Sequence, residues 1–257
     1  MGTTQLLRGG MRALLCVCAL AMTTVAFAGI PDVVFEITAE SGPLSVTVPI
    51  LCQWGDYDPD TQTWQWTCTE PIEFWSENNQ VFLGSLDEFC ATVVGDPEVN
   101  LNFSVQAGPS NTSFHIASAL LNDFDPITNA IGYAHASYTL TDFNGDAASL
   151  TGIGATGGAY LAQYNGWAGS PMGPQGTTFA EGLFQMNAGA IETVTEDFDV
   201  PSSGFLPIGE TVVSMSSLVS FELSAWDLAS GTSNFVIIPE PASLALALLA
   251  VLALRRR

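Results

Sequence analysis

Lysine is absent from this 257-residue chain, and its five arginines stand only at the two ends, as Arg8, Arg12, Arg255, Arg256 and Arg257. Everything between residues 13 and 254 holds all 26 acids and no fixed cation. Nucleic-acid binding is excluded, because phosphate contacts need Lys or Arg. A P-loop is excluded by its missing lysine. Histidine is almost missing too, with only His115 and His135. Ile116 and Ala136 follow them, so H-E-x-x-H is absent, and neither G-x-S-x-G nor an assignable Ser-His-acid set occurs. The expectation is a protein that is not an enzyme. A glycoside hydrolase remains a remote alternative, since that chemistry needs only two carboxylates. What the chain does have is apolar: 47% hydrophobic and 10% aromatic residues at a net charge of −21, with a mean hydropathy of +0.31. Such a composition builds a core and is not that of a disordered chain.

The two ends read as addresses. Arg8 and Arg12 precede the apolar run ALLCVCALAM, and Ala26-Phe27-Ala28 places small residues at a cleavage site before Gly29. Residues 1–28 are therefore expected to be a secretory signal peptide. At the other end Pro239-Glu240-Pro241 is followed by ASLALALLAVLAL and then Arg255-Arg256-Arg257. As a helix, residues 242–254 would span roughly 20 Å, short of the ~30 Å hydrocarbon core. A short transmembrane helix with cytoplasmic arginines is expected, inserted only transiently in the inner membrane.

The Pro-Glu-Pro triplet, short apolar helix and terminal arginine cluster of residues 239–257 resemble the PEP-CTERM sorting signal. The resemblance implies export by the general secretion machinery and processing near Pro239-Glu240-Pro241 by an exosortase, a membrane cysteine protease. It further implies a place at the cell-envelope surface or in an exopolysaccharide or biofilm matrix. It says nothing about residues 29–238.

That middle part is expected to be all-β, an antiparallel β-sandwich or jelly-roll-like ectodomain, as one large domain or two small sandwiches. Strand-like alternation marks 33–38, 44–51, 63–69, 99–106, 112–121, 131–141, 159–164, 178–185, 212–225 and 235–238. Within 131–141, Gly132, Ala134, Ala136, Tyr138 and Leu140 share one face. Gly- and Pro-rich 168–177 reads as a loop. With Cys16 and Cys18 in the signal, Cys52, Cys68 and Cys90 remain. Export favours a Cys52–Cys68 bridge, adding about 3 kcal/mol in the chain-entropy model, with Cys68–Cys90 open as well.

Several clusters are candidates for chemistry. Trp54, Trp64, Trp66 and Trp75 lie close together among Asp56, Asp58, Asp60, Glu70 and Glu73. Aromatic faces beside carboxylates suit a glycan surface. The shared parity of Trp64, Trp66 and Cys68 equally suits a half-buried strand. Asp56-x-Asp58-x-Asp60 and Asp142-x-Asn144-x-Asp146 space oxygens as a weak Ca²⁺ loop does, although Thr61 and Ala147 replace the glycine at the sixth position. Cation binding would relieve a charge that no internal salt bridge can meet. Gly152-Ile153-Gly154-Ala155-Thr156-Gly157 matches G-x-G-x-x-G in letters, but strand-like residues follow it, so a glycine-rich turn is expected rather than a dinucleotide site. His115 and His135 are expected on polar faces of neighbouring strands. Three functions follow: a structural surface or matrix protein, a calcium-assisted glycan-binding module, and, remotely, the hydrolase.

Overall fold

The computed structural model describes residues 30–76, 80–169 and 176–240. The expected signal peptide, the apolar helix and the terminal arginines lie outside them. The described residues form seventeen strands and one 3-10 turn (Cys52–Trp54). Among the described residues no helix is long and apolar enough to cross a membrane.

In chain order the strands are β1 (Val33–Ser41), β2 (Leu44–Leu51), β3 (Asp56–Asp58), β4 (Thr63–Thr67), β5 (Ile72–Ser76), β6 (Val81–Val94), β7 (Glu98–Ala107) and β8 (Thr112–Ser118). They continue as β9 (Ala130–Thr141), β10 (Ala148–Gly152), β11 (Tyr160–Tyr164), β12 (Thr177–Gly182), β13 (Gln185–Ala188), β14 (Thr193–Val200), β15 (Leu206–Pro207), β16 (Met215–Leu223) and β17 (Leu228–Pro239). One sheet runs β12-β11-β16-β8-β1-β2, with β10 on β16 and β13 on β10. The other runs β14-β9-β17-β7-β6-β4-β3, with β15 on β9 and β5 on β6.

The pairs within each sheet are antiparallel. This is a β-sandwich, and the two sheets close on one shared core. Alternation explains the packing. Along β9 every second residue is buried, including Ala134, Ala136, Tyr138 and Leu140. Their neighbours Ser137 and Thr139 are only partly covered. Across the layers Phe221 of β16 meets Phe103 of β7 at 6.0 Å and Tyr138 of β9 at 6.1 Å between ring centroids. Phe35 of β1 meets Phe89 of β6 edge-on at 5.4 Å.

Gly231 makes room for two of these rings. A Cβ there would lie 2.6 Å from Tyr138 Cδ1 and 2.9 Å from Phe103 Cε1. Both rings are buried and packed, so Gly231→Ala is expected to cost about 1–3 kcal/mol through overpacking. Urea unfolding should show a lower midpoint at unchanged slope.

β17 sits between β7 and β9 along its length and ends at Pro239, opposite Ala130. The Glu240 N–H then donates to the Asn129 carbonyl at 2.9 Å. The Pro-Glu-Pro triplet thus starts on the wall of the sandwich, without a spacer.

Candidate functional site

The aromatic cluster splits according to depth. Trp64, the second residue of β4, is fully buried, and its indole N–H donates to the Cys52 carbonyl at 2.8 Å. It is core, not a glycan contact. Trp75 on β5 is half exposed, but leans on Phe82 at 5.2 Å and donates to Glu73 at 2.8 Å. Trp54 and Trp66 stay together, with ring centroids 6.0 Å apart and planes inclined by 43°. Trp54 is 45% exposed, while Trp66 is backed by Phe89 at 5.5 Å.

These two rings line an open groove of about 600 Å³. Asp56, Gln65 and Glu70 supply its polar groups. The reason is local. β4 lies next to β3, the last strand of its sheet. Trp64 therefore points under the sheet while Trp66 reaches the rim with only one side covered. A rigid aromatic pair beside carboxylate and amide oxygens can stack on an apolar ring face and bond its peripheral hydroxyls.

The thiols near this groove are free, and the expected Cys52–Cys68 bridge is not formed. The Cys52 N–H donates to Asp32 and the Cys68 N–H to Phe89. The Cys68 thiol donates to the Glu70 carbonyl at 2.7 Å, and the Thr67 hydroxyl to Cys90 Sγ at 3.4 Å. Burial pushes the Cys52 and Cys68 thiols above their ordinary range. Such thiols are protonated and poor nucleophiles at neutral pH.

A second cluster lies at the loop end of β9. One oxygen each from Asp142, Asp146 and Asp227 falls within 4.8 Å of the others. Asp227 follows Trp226 in the turn before β17, and spacing alone does not reveal it. Asn144 is otherwise engaged: its Oδ1 accepts the Asp146 N–H at 3.1 Å, and its Nδ2 donates to the Ala225 carbonyl at 3.1 Å. Asp142 accepts N–H groups from Ile191 at 2.5 Å and Gly145 at 3.0 Å. The Ile191 bond foremost holds its carboxyl below the usual range.

Asp227 is fully buried and accepts from the Ser224 hydroxyl and the Phe143 N–H. Burial raises its pKa, and the charges of Asp142 and Asp146 raise it further. These three carboxylates can hold a metal ion. Asp56, Asp58 and Asp60 form no such cluster among the described residues. Asp58 instead caps its own turn, accepting from the Asp60 N–H at 2.9 Å and the Thr61 hydroxyl at 3.0 Å.

The histidines are not neighbours. His115 is on β8 and His135 on β9, in different sheets. His115 Nδ1 pairs with Ser220 Oγ at 2.9 Å, and its Nε2 lies 4.0 Å from Glu40. Ser220 is buried, unlike an attacking hydroxyl. His135 Nδ1 lies 2.9 Å from Asp199 Oδ1, which also accepts the Tyr133 hydroxyl at 2.5 Å. The glycine-rich turn does bind an anion, but its own: the Thr156 and Gly158 N–H groups donate to Glu181 Oε1 at 3.2 and 3.1 Å.

No protein-family model and no curated protein matches the chain. Among solved structures it is similar to one described as TmCBM61 in complex with beta-1,4-galactotriose. That similarity has 11% identity, covers 55% of this chain and 71% of that chain, and has a TM-score of 0.26.

Proposed function

We propose that the chain is an exported, non-catalytic module of the cell surface or extracellular matrix that binds polysaccharide at the Trp54–Trp66 groove. The observation that carries this reading is Trp54. It is held half exposed against Trp66, over a groove edged by Asp56, Gln65 and Glu70. A half-exposed indole presents an apolar face, and a sugar ring has the matching combination of apolar face and hydroxyl rim.

Truncating a central aromatic anchor costs about 2 kcal/mol, roughly 30-fold in Kd. Trp54→Ala and Trp66→Ala should each weaken binding to neutral glycans by that factor, read by calorimetry on the purified chain. Trp75→Ala, outside the groove, should leave binding unchanged. No saturable binding across a glycan panel would end the reading. Release of reducing ends, lost on changing one Asp or Glu, would make the protein a glycoside hydrolase instead.

The sequence supports the route. The signal at residues 1–28 delivers the chain to the secretion machinery, and an exosortase processes it near Pro239-Glu240-Pro241, leaving the inner membrane. Asp142, Asp146 and Asp227 take Ca²⁺, a hard cation that prefers carboxylate oxygens. Its task is to brace the loop end rather than to touch the sugar.

A further inference from the structure

The outer face of the nine-stranded sheet changes character along β9 and β17. In its middle the side chains are polar: Ser137, Thr232 and Asn102 stand in one row, and His135, Asn234 and Asn100 in the next. The two rows after these, at the end where the chain leaves the sheet, are apolar. Tyr133 stands opposite Val236, and the Phe205 ring lies 6.0 Å from that of Tyr133. Ile131 stands between Pro207 and Ile238. Alternation puts Ile131, Tyr133, Val236 and Ile238 on the outer side, since Ala130, Ala134, Phe235 and Ile237 are buried. Phe205 is 43% exposed.

We infer that this apolar strip is a membrane-docking surface, which lies on the lipid bilayer while residues 242–254 are inserted in it. The inference rests on the proposed reading of that apolar run as a transient membrane segment, and adds where the folded domain sits. Position follows from chain length. β17 ends at Pro239, and Ala242 lies four residues beyond Ile238, at most about 14 Å along an extended chain. A domain tethered so closely turns its β17 end to the lipid, and the strip is at that end. Tyr133 fits such a place. Its hydroxyl donates to Asp199, one row back toward the polar part, at 2.5 Å. The ring stays among the apolar side chains, as an aromatic with a polar tip does at a membrane interface.

No residue from 13 to 254 is Lys or Arg, and Glu98, Asp199 and Glu240 border the strip. The attraction is therefore apolar burial and not pairing with lipid phosphates. A patch of this size is weak by itself. The tether makes it effective, because a second contact on a linked chain forms intramolecularly. A cut near Pro239-Glu240-Pro241 removes the tether, and one weak contact alone holds only marginally and reversibly. Docking thus ends with processing.

The test is fluorescence quenching by lipids brominated in their acyl chains, with the full chain reconstituted in phosphatidylcholine vesicles. The emission gained by Phe205→Trp should fall by about half, since a docked apolar face reaches about 5–10 Å into the headgroup–acyl boundary. The emission gained by Thr232→Trp, on the polar rows of the same face, should not change. Both positions are exposed, so both variants keep the fold. Molar salt should leave the quenching at Phe205→Trp in place. A chain that floats with the vesicles while Phe205→Trp keeps its emission overturns the docking and leaves the anchor standing. Equal quenching at both positions, or quenching abolished by salt, overturns the apolar strip as the contact. An emission change at Phe205→Trp that needs no lipid and grows with protein concentration makes the strip a contact between two copies instead. A chain that does not float with the vesicles removes the membrane segment and the docking together.

Discussion

Replacing Phe221 by alanine is expected to destabilise the sandwich by about 3–5 kcal/mol, a large share of the roughly 5–15 kcal/mol that holds a domain together. Its fully buried ring touches Phe114 in its own sheet at 6.1 Å and Phe103 and Tyr138 in the facing one. All three partners are themselves buried aromatics with little freedom to collapse into the vacated space. Tyr138 is tied further by its hydroxyl, which donates to the Ala159 carbonyl at 3.3 Å. Urea unfolding should show a large fall in midpoint at constant slope. Phe143→Ala, at a side chain 68% exposed, should change little. A loss below about 1 kcal/mol at Phe221 would mean that the two sheets are not keyed at this residue.

Millimolar Ca²⁺ is expected to raise the unfolding midpoint, and Asp227→Asn to abolish most of the rise. A cation bound only by the folded state adds about 2.7 kcal/mol at a hundredfold excess over its Kd. The pH dependence without calcium gives a second readout. Asp227 has a raised pKa from burial first, opposed by the bonds from Ser224 and Phe143, with smaller additions from the charges of Asp142 and Asp146. Its folded form takes up a proton before the unfolded chain does, so its contribution to stability falls as pH rises through that window.

Asp142 has the opposite sign. Its pKa is held down by the Ile191 N–H, so its stabilisation is present above the ordinary carboxylate value and is lost as pH falls through its folded pKa. The cation-free chain should therefore gain stability on mild acidification and lose it again in stronger acid. Calcium should remove the first effect, and Asp227→Asn should remove it as well. A midpoint indifferent to Ca²⁺, with no mild-acid gain, would show that the three carboxylates do not interact.

Strands with unbroken alternation are legible from sequence, and β9 is the clearest case. β6 is not. Leu83 to Leu86 are buried in succession, and the register slips between Leu86 and Glu88. One bulge therefore destroys the two-residue period on which such reading depends. β14 is missed for another reason. Its Glu196, Asp197 and Asp199 look like turn residues, yet it is an edge strand whose acids are exposed. At the site, parity groups Trp64 with Trp66 but cannot tell that one is covered and the other lies at a rim. Asp142 and Asp146 are found by spacing. Asp227 is not, because only pairing of β17 with β9 brings it there. The bridge expected between Cys52 and Cys68 is not formed, and the Cys68 thiol donates to the Glu70 carbonyl instead.

The position of β17 has a mechanical consequence. The strand is held between β7 and β9 and ends at Pro239. A pull on the chain at Glu240 runs along β17, at right angles to the antiparallel ladder bonds that join it to β7 and β9. Those bonds are loaded in shear and share the force, instead of opening one after another from an end. The force would pass through that strand's two flanking ladders, and through Phe235 against Phe179 of the facing sheet.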